Sequence, residues 1–133
     1  MFDHNQQNQH YMSEQLLAKS ILVDRSNIAS CKFPKGEVID LEEDKRIRSR
    51  KIHNATRLGN LEQKKVNIIF NDKEGVKHVY TTIWAQTSKR IILKDNIMLP
   101  VHRILDITMW QKKITPRIES GAPTNQSTYE NLL

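Results

Sequence analysis

The residues best placed to do chemistry in this chain are its arginines. In "LEEDKRIRSRKIHNATRL" three acids, Glu42, Glu43 and Asp44, precede Lys45, Arg46, Arg48, Arg50, Lys51 and Arg57. On a helix at ~100° per residue, Arg46, Arg50 and Arg57 fall within about 40° of one another, while Arg48 and Lys51 project elsewhere. A guanidinium fork matches the paired oxygens of a phosphate, so such a face suits a polyanion backbone. A second reading competes with it. Acids first and bases later is the order that a helix dipole favours, and Arg46 stands at pairing distance from both Glu42 and Glu43.

Further along, Lys64, Lys65 and Arg103 extend the positive surface, and Tyr80 and Trp84 stand four apart in a β-rich run. Strand alternation puts the two rings on one side unless a bulge intervenes. Turned outward, they make a platform on which bases can stack. Turned inward, they are core, and both arrangements fit the pattern. In "LPVHRI", His102 and Arg103 follow Pro100 between two strand-like runs. The length and the proline favour a 3₁₀ corner over a site.

Other chemistry finds little support. His4, His10, His53, His78 and His102 form no H-x-x-x-H pair, and Cys31 is the single cysteine, so neither a C-x-x-C motif nor an intrachain disulfide exists. There is no G-x-S-x-G elbow, and the glycines at 36, 59, 75 and 121 are too scattered to cradle a phosphate. No metal or cofactor is expected. The chain reads as a non-enzymatic binding module for RNA or DNA, or alternatively for another copy of itself or a different protein.

Composition sets the scale. The 133 residues carry a net charge of +6, a bias toward polyanionic partners. Hydrophobic residues make up 38%, below the ~45–50% usual for globular chains. The Asn/Gln/Ser-rich ends account for the deficit, because such segments bury too little surface to offset the entropy of ordering. Residues 1–40 are therefore expected as a weakly ordered N-terminal segment with a short helix from a Ser13 cap. Residues 41–112 hold a helix and a sheet, and 113–133 form a flexible tail. The lack of a signal-like apolar start and of any membrane-length apolar run predicts a cytoplasmic protein without membrane contact.

The helix is predicted over 41–58, with Asp40 as its N-cap, Gly59 as its C′ residue, and Ile47, Ile52, Ala55 and Leu58 as a narrow apolar stripe. The period then becomes strand-like. "KVNIIF", the turn "NDKEG", the long run "VKHVYTTIWAQT", then "RIILK", "IMLP" and "ILDITMW" are five antiparallel strands with tight turns. The long run must bend to serve both halves of the sheet. A helix followed by five such strands predicts a mainly β fold, a small five-stranded antiparallel SH3-like or Sm-like barrel.

Leu58-Gly59, Thr82-Ile83-Trp84-Ala85, Leu93-Lys94 and Leu99-Pro100-Val101-His102-Arg103-Ile104 also carry a resemblance. Over about residues 45–109 the chain resembles a family of small uncharacterised Bacteroidetes-type bacterial proteins with a short basic helix and a barrel. That resemblance implies the same two-part fold and no established activity. More distantly the strand order is similar to that of Sm-like barrels that bind RNA. Their nucleotide-binding signatures are not visible here, so this second likeness concerns the fold alone.

Overall fold

The computed structural model describes residues 13–109. Helical residues 13–19 (α1) lead into β1 (Ile21–Leu22), a 3₁₀ helix (Arg25–Ser30) and the long α2 (Glu42–Glu62). The strands follow: β2 (Val66–Asp72), β3 (Gly75–Thr81), β4 (Ile83–Gln86), β5 (Arg90–Leu93), β6 (Ile97–Pro100) and β7 (Ile104–Thr108). No helix among the described residues is long and apolar enough to cross a membrane.

These strands make two sheets, ordered β1-β3-β2-β7 and β4-β5-β6. The chain passes between the sheets at two corners. At Thr82 the long β-rich run breaks into β3 and β4, one in each sheet, which is the expected bend. Val101–Arg103 forms a 3₁₀ turn between β6 and β7, so the His102-Arg103 segment is a corner. The count differs from the five predicted strands because the long run is divided and Ile21–Leu22 adds a parallel edge strand on β3. The hydrogen-bonded strands form two separate sheets and not one closed ring.

Alternation sorts the side chains. Ile68 stands opposite Val79 on one side and Ile107 on the other, and all three face inward with Val66, Phe70 and Ile104. Ile83, Ile91, Leu93 and Leu99 of the second sheet close over them. The β5–β6 hairpin turns through Asp95 and Asn96, both at positive φ, where the short polar side chains tolerate a left-handed backbone.

Helix α2 contacts both β4 and β7, each an edge strand of its sheet, and so packs on both sheets. Its buried stripe is Arg48, Ile52, Ala55 and Gly59, a helical spacing of four, three and four. Three details differ from the sequence reading. Ile47 and Leu58 are only half-buried, because the stripe is rotated toward Arg48 and Gly59. The N-cap position is Leu41 and has no side-chain cap bond. Gly59 lies inside the helix, which continues to Glu62 and ends where Gln63 turns left-handed at φ 56° and donates its N–H to the Gly59 carbonyl. The glycine serves close approach instead: a Cβ there would sit 2.4 Å from the Ile83 carbonyl oxygen.

Residues 13–40, expected to be weakly ordered, are built into the fold. Ile28 of the 3₁₀ helix is part of the core, and that helix contacts β6 and β3. The outer side of the first sheet carries Ile69, fully buried, whose register partners are His78 and Asp106. Ser13 Oγ donates to the Asp106 carboxylate, and Ser20 Oγ lies 2.7 Å from His78 Nδ1. Two serines at the ends of α1 thus hold it across Ile69, with Leu17 between them and buried. The predicted tail, 113–133, lies outside the described residues.

Gly59→Ala tests the helix seat. Alanine gains about 1 kcal/mol of helix propensity, but forcing backbone against backbone costs ~1–3 kcal/mol, and more where nothing can move. The variant should melt at a lower temperature by circular dichroism. A higher Tm would mean that α2 can lift off β4 freely.

Candidate nucleic-acid interface

The buried stripe determines where the other side of α2 points. At ~100° per residue, Arg46, Arg50 and Arg57 lie about 180° from Arg48, Ile52, Ala55 and Gly59. All three arginines are exposed, on the side of the helix turned away from the sheets. Arg46 donates to Glu43 Oε1 at 2.7 Å, an exposed pair of the kind that contributes little. Lys45, not Arg46, takes Glu42. Among the described residues, Arg50 and Arg57 make no ion pair. Seven residues apart on a helix, they stand about 10 Å from each other along its axis.

The end of α2 packs on the strand corner that lies between the two aromatics. Thr82 is buried beneath the last turn: its methyl lies near Gly59, and its hydroxyl donates to the Gln63 carbonyl at 3.5 Å. Lys64 and Lys65 follow, both exposed, and the chain then enters β2 with Val66 opposite Thr81. Tyr80 and Trp84 flank Thr82 in sequence and are 38% and 42% exposed. Lys65 Nζ lies 5.7 Å from the Tyr80 ring centroid, within cation–π range. The inward reading of the two rings therefore does not hold. Val79, Thr81 and Ile83 fill the core, and the rings emerge near the helix end. In β4, Ile83 pairs with Leu93 while Ala85 pairs with Ile92, so Trp84 is the extra residue of a bulge, a device that re-aims a side chain.

Arg103 is not brought to this surface. Its Nε donates to the Asn71 carbonyl at 2.9 Å and its Nη1 to the Gly36 carbonyl at 2.8 Å. His102 places Nε2 2.9 Å from the Pro34 carbonyl oxygen and accepts the Val38 N–H on its own carbonyl. The corner thus clamps residues 34–38.

Two basic residues set aside on the helical wheel prove structural. The Arg48 side chain is 6% exposed and grips Glu37 with both forks, at 2.7 and 2.9 Å, while Nη1 also donates to the Ile104 carbonyl at 3.0 Å. Its Nε has no partner among the described residues. Lys51 pairs with Asp106 at 2.8 Å. The signal for Arg48 was its place four before Ile52 and seven before Ala55, on the same stripe. A charge there reads as solvent-facing until its partner is known.

Another polar cluster lies around Cys31. In the cleft of about 540 Å³ near Cys31, Asp72 and Lys77, burial pushes the thiol up, and its hydrogen bond to Asp72 adds to that, so the nucleophilic thiolate is disfavoured. Hydrogen bonds to Asp72 and then Glu74 hold Lys77 well above its ordinary value, as an ammonium. Among the described residues no three His, Cys, Asp or Glu side chains form a metal-holding group. Comparisons with protein-family models, curated proteins and solved structures return no match, so the Bacteroidetes-type resemblance gains no support from them.

Two outcomes are expected. Burial alone would raise the Glu37 carboxyl, but hydrogen bonds from Arg48 and the Ile39 N–H, with the Arg48 and Lys45 charges, hold it below its ordinary value. Asp72 is lowered in the same way: burial is outweighed by Lys77, the Glu74 N–H and Cys31. A carboxyl lowered in the folded state contributes stability above its unfolded pKa, about 4, and loses it as pH falls through the folded value. Urea midpoints should therefore drop below about pH 4.5, and Glu37→Gln should flatten that dependence. An unaltered pH profile in Glu37→Gln would remove the ion pair from the acid response. Separately, Arg103→Ala should lower Tm by releasing residues 34–36, whereas Arg57→Ala should stay within about 0.5 kcal/mol of the parent. Equal effects would contradict this division of labour.

Proposed function

We propose that this protein is a non-enzymatic nucleic-acid-binding module, on a fold of the SH3/Sm-like small-barrel class, that takes a phosphate backbone along the outward side of α2. The observation that carries this reading is the pair Arg50 and Arg57, exposed and without an ion-pair partner among the described residues, directly opposite the buried stripe. Lys64 and Lys65 continue the positive line past the helix end. The barrel class is supported by the strand order and the two corners, at Thr82 and Val101–Arg103.

Binding of this kind works by exchange. Phosphates that meet guanidinium groups release condensed counterions, and the affinity falls as salt rises. Arg46 trades Glu43 for a phosphate at small cost, because that pair is exposed. Arg50 and Arg57 give up no protein partner. A scaffold with a rigid helix seat keeps the cations in line, so little ordering entropy opposes binding.

A second reading, association with protein, is favoured by one feature of the β4-β5-β6 sheet. Ala85, Ile92 and Met98 stand in register across its three strands, Met98 exposed and the other two half-buried.

The test is fluorescence anisotropy of labelled RNA and DNA at low and physiological salt. Saturable binding should weaken steeply with salt. Arg50→Ala with Arg57→Ala should weaken it further and reduce the slope of log K against log salt by about 0.7–0.9 per lost contact. An unchanged slope in the double variant would remove α2 from the interface. No binding even at low salt would overturn the nucleic-acid reading in favour of the protein contact.

A further inference from the structure

Resting on that reading, we propose that the ligand is single-stranded, its bases lying on Trp84 and Tyr80 while its phosphates follow Lys64, Lys65 and Arg57. Three features of the helix end lead to this.

The first is the pair of exposed rings. A duplex hides its base faces within the stack, so a side-chain ring meets a base face only where the strand is unpaired. Trp84 and Tyr80 are such exposed rings, Tyr80 within reach of Lys65, and the β4 bulge is centred on the tryptophan.

The second is rigidity. Thr82, between the two aromatics, is held by the last turn of α2 through Gly59 and Gln63, and its carbonyl accepts the Lys94 N–H at 3.1 Å. The rings therefore stand on strand ends fixed from two directions. A fixed ring loses less freedom on stacking than one carried by a loop.

The third is charge next to aromatic. Lys65 lies over the Tyr80 ring in the free protein. An arriving phosphate offers the ammonium a stronger partner, so the cation beside Tyr80 is drawn onto the backbone next to the aromatics. Arg57 lies about one and a half helical turns before the end of α2, which places a phosphate-binding fork upstream of the same platform. Stacking accepts any base, so the expected selectivity is for strandedness more than for sequence.

The experiment uses short labelled oligonucleotides of RNA and of DNA, each single-stranded and as the matched duplex, and a single strand lacking bases. The wild-type protein should bind single strands roughly tenfold more tightly than duplexes. Trp84→Ala should weaken single-strand binding by roughly tenfold, leave duplex binding and the salt slope unchanged, and be largely rescued in Trp84→Phe. The abasic strand should bind wild type and Trp84→Ala alike. The RNA and DNA arms show whether the 2′-hydroxyl contributes. Equal affinity for duplex and single strand, or an unaffected Trp84→Ala, overturns the stacking proposal while leaving phosphate binding intact. Absence of salt-sensitive binding to every oligonucleotide overturns both. Circular dichroism of Trp84→Ala separates loss of the ring from loss of the fold.

Discussion

Arg48 is the point at which three parts of the chain meet. Its guanidinium joins Glu37, in the segment before α2, to the Ile104 carbonyl at the start of β7, from the first position of a buried helix stripe. A charge taken out of water is costly, and only near-complete hydrogen bonding makes it tolerable. Bidentate geometry meets most of that demand, although Nε remains without a partner among the described residues. The strict geometry also limits the alternatives. Rotating α2 by one residue, ~100°, would take the fork away from both partners and break the bond set. Arg48 near one end and Gly59 near the other thus fix the roll of α2. That roll is what turns Arg46, Arg50 and Arg57 toward solvent.

The helix matters to the sheets for a related reason. Two small sheets leave strand backbone unpaired at their edges. Here α2 packs on β4 and β7, and the 3₁₀ helix packs against β6 and β3. On the outer side of the first sheet, α1 covers Ile69 through its two serine contacts. With so modest an apolar content, the strands need these elements to complete their burial. Within residues 13–40, Ile28 is thus part of the core, with Val23, Cys31 and Phe33 packed against it.

Cations in this protein divide by what they face. Arg25 holds Asp95 in the β5–β6 turn, Lys51 holds Asp106, Lys77 holds Asp72 and Glu74, and Arg103 holds two backbone carbonyls. Each ties a turn or segment to a neighbour. Arg50, Arg57, Lys64 and Lys65 belong to a second group, exposed along α2 and past its end, while Lys32, Lys35, Lys73, Lys89, Arg90 and Lys94 are exposed elsewhere on the fold. A net charge of +6 indicates an excess of cations. Only the hydrogen-bond partners separate those that hold the fold from those that can meet a ligand.

How much of this was legible in the residues depends on how local each signal is. The strands, the bend of the long β-rich run and the corner at Val101–Arg103 were readable, because alternation, turn residues and a proline act over a few positions. So was the grouping of Arg46, Arg50 and Arg57 on one side of a helix, which follows from helical geometry alone. The role of Gly59 was not, since a glycine that ends a helix and a glycine that admits a neighbouring carbonyl look alike until Ile83 is in place. Nor was the burial of Arg48, whose partners lie 11 and 56 residues away. Whether Tyr80 and Trp84 faced in or out rested on a bulge and on the landing of α2 over Thr82. Local periodicity places α2, the strands from β2 to β7 and the arginine face, whereas the engagement of each cation and the exposure of the rings depend on contacts between residues distant in the chain, which local pattern does not encode.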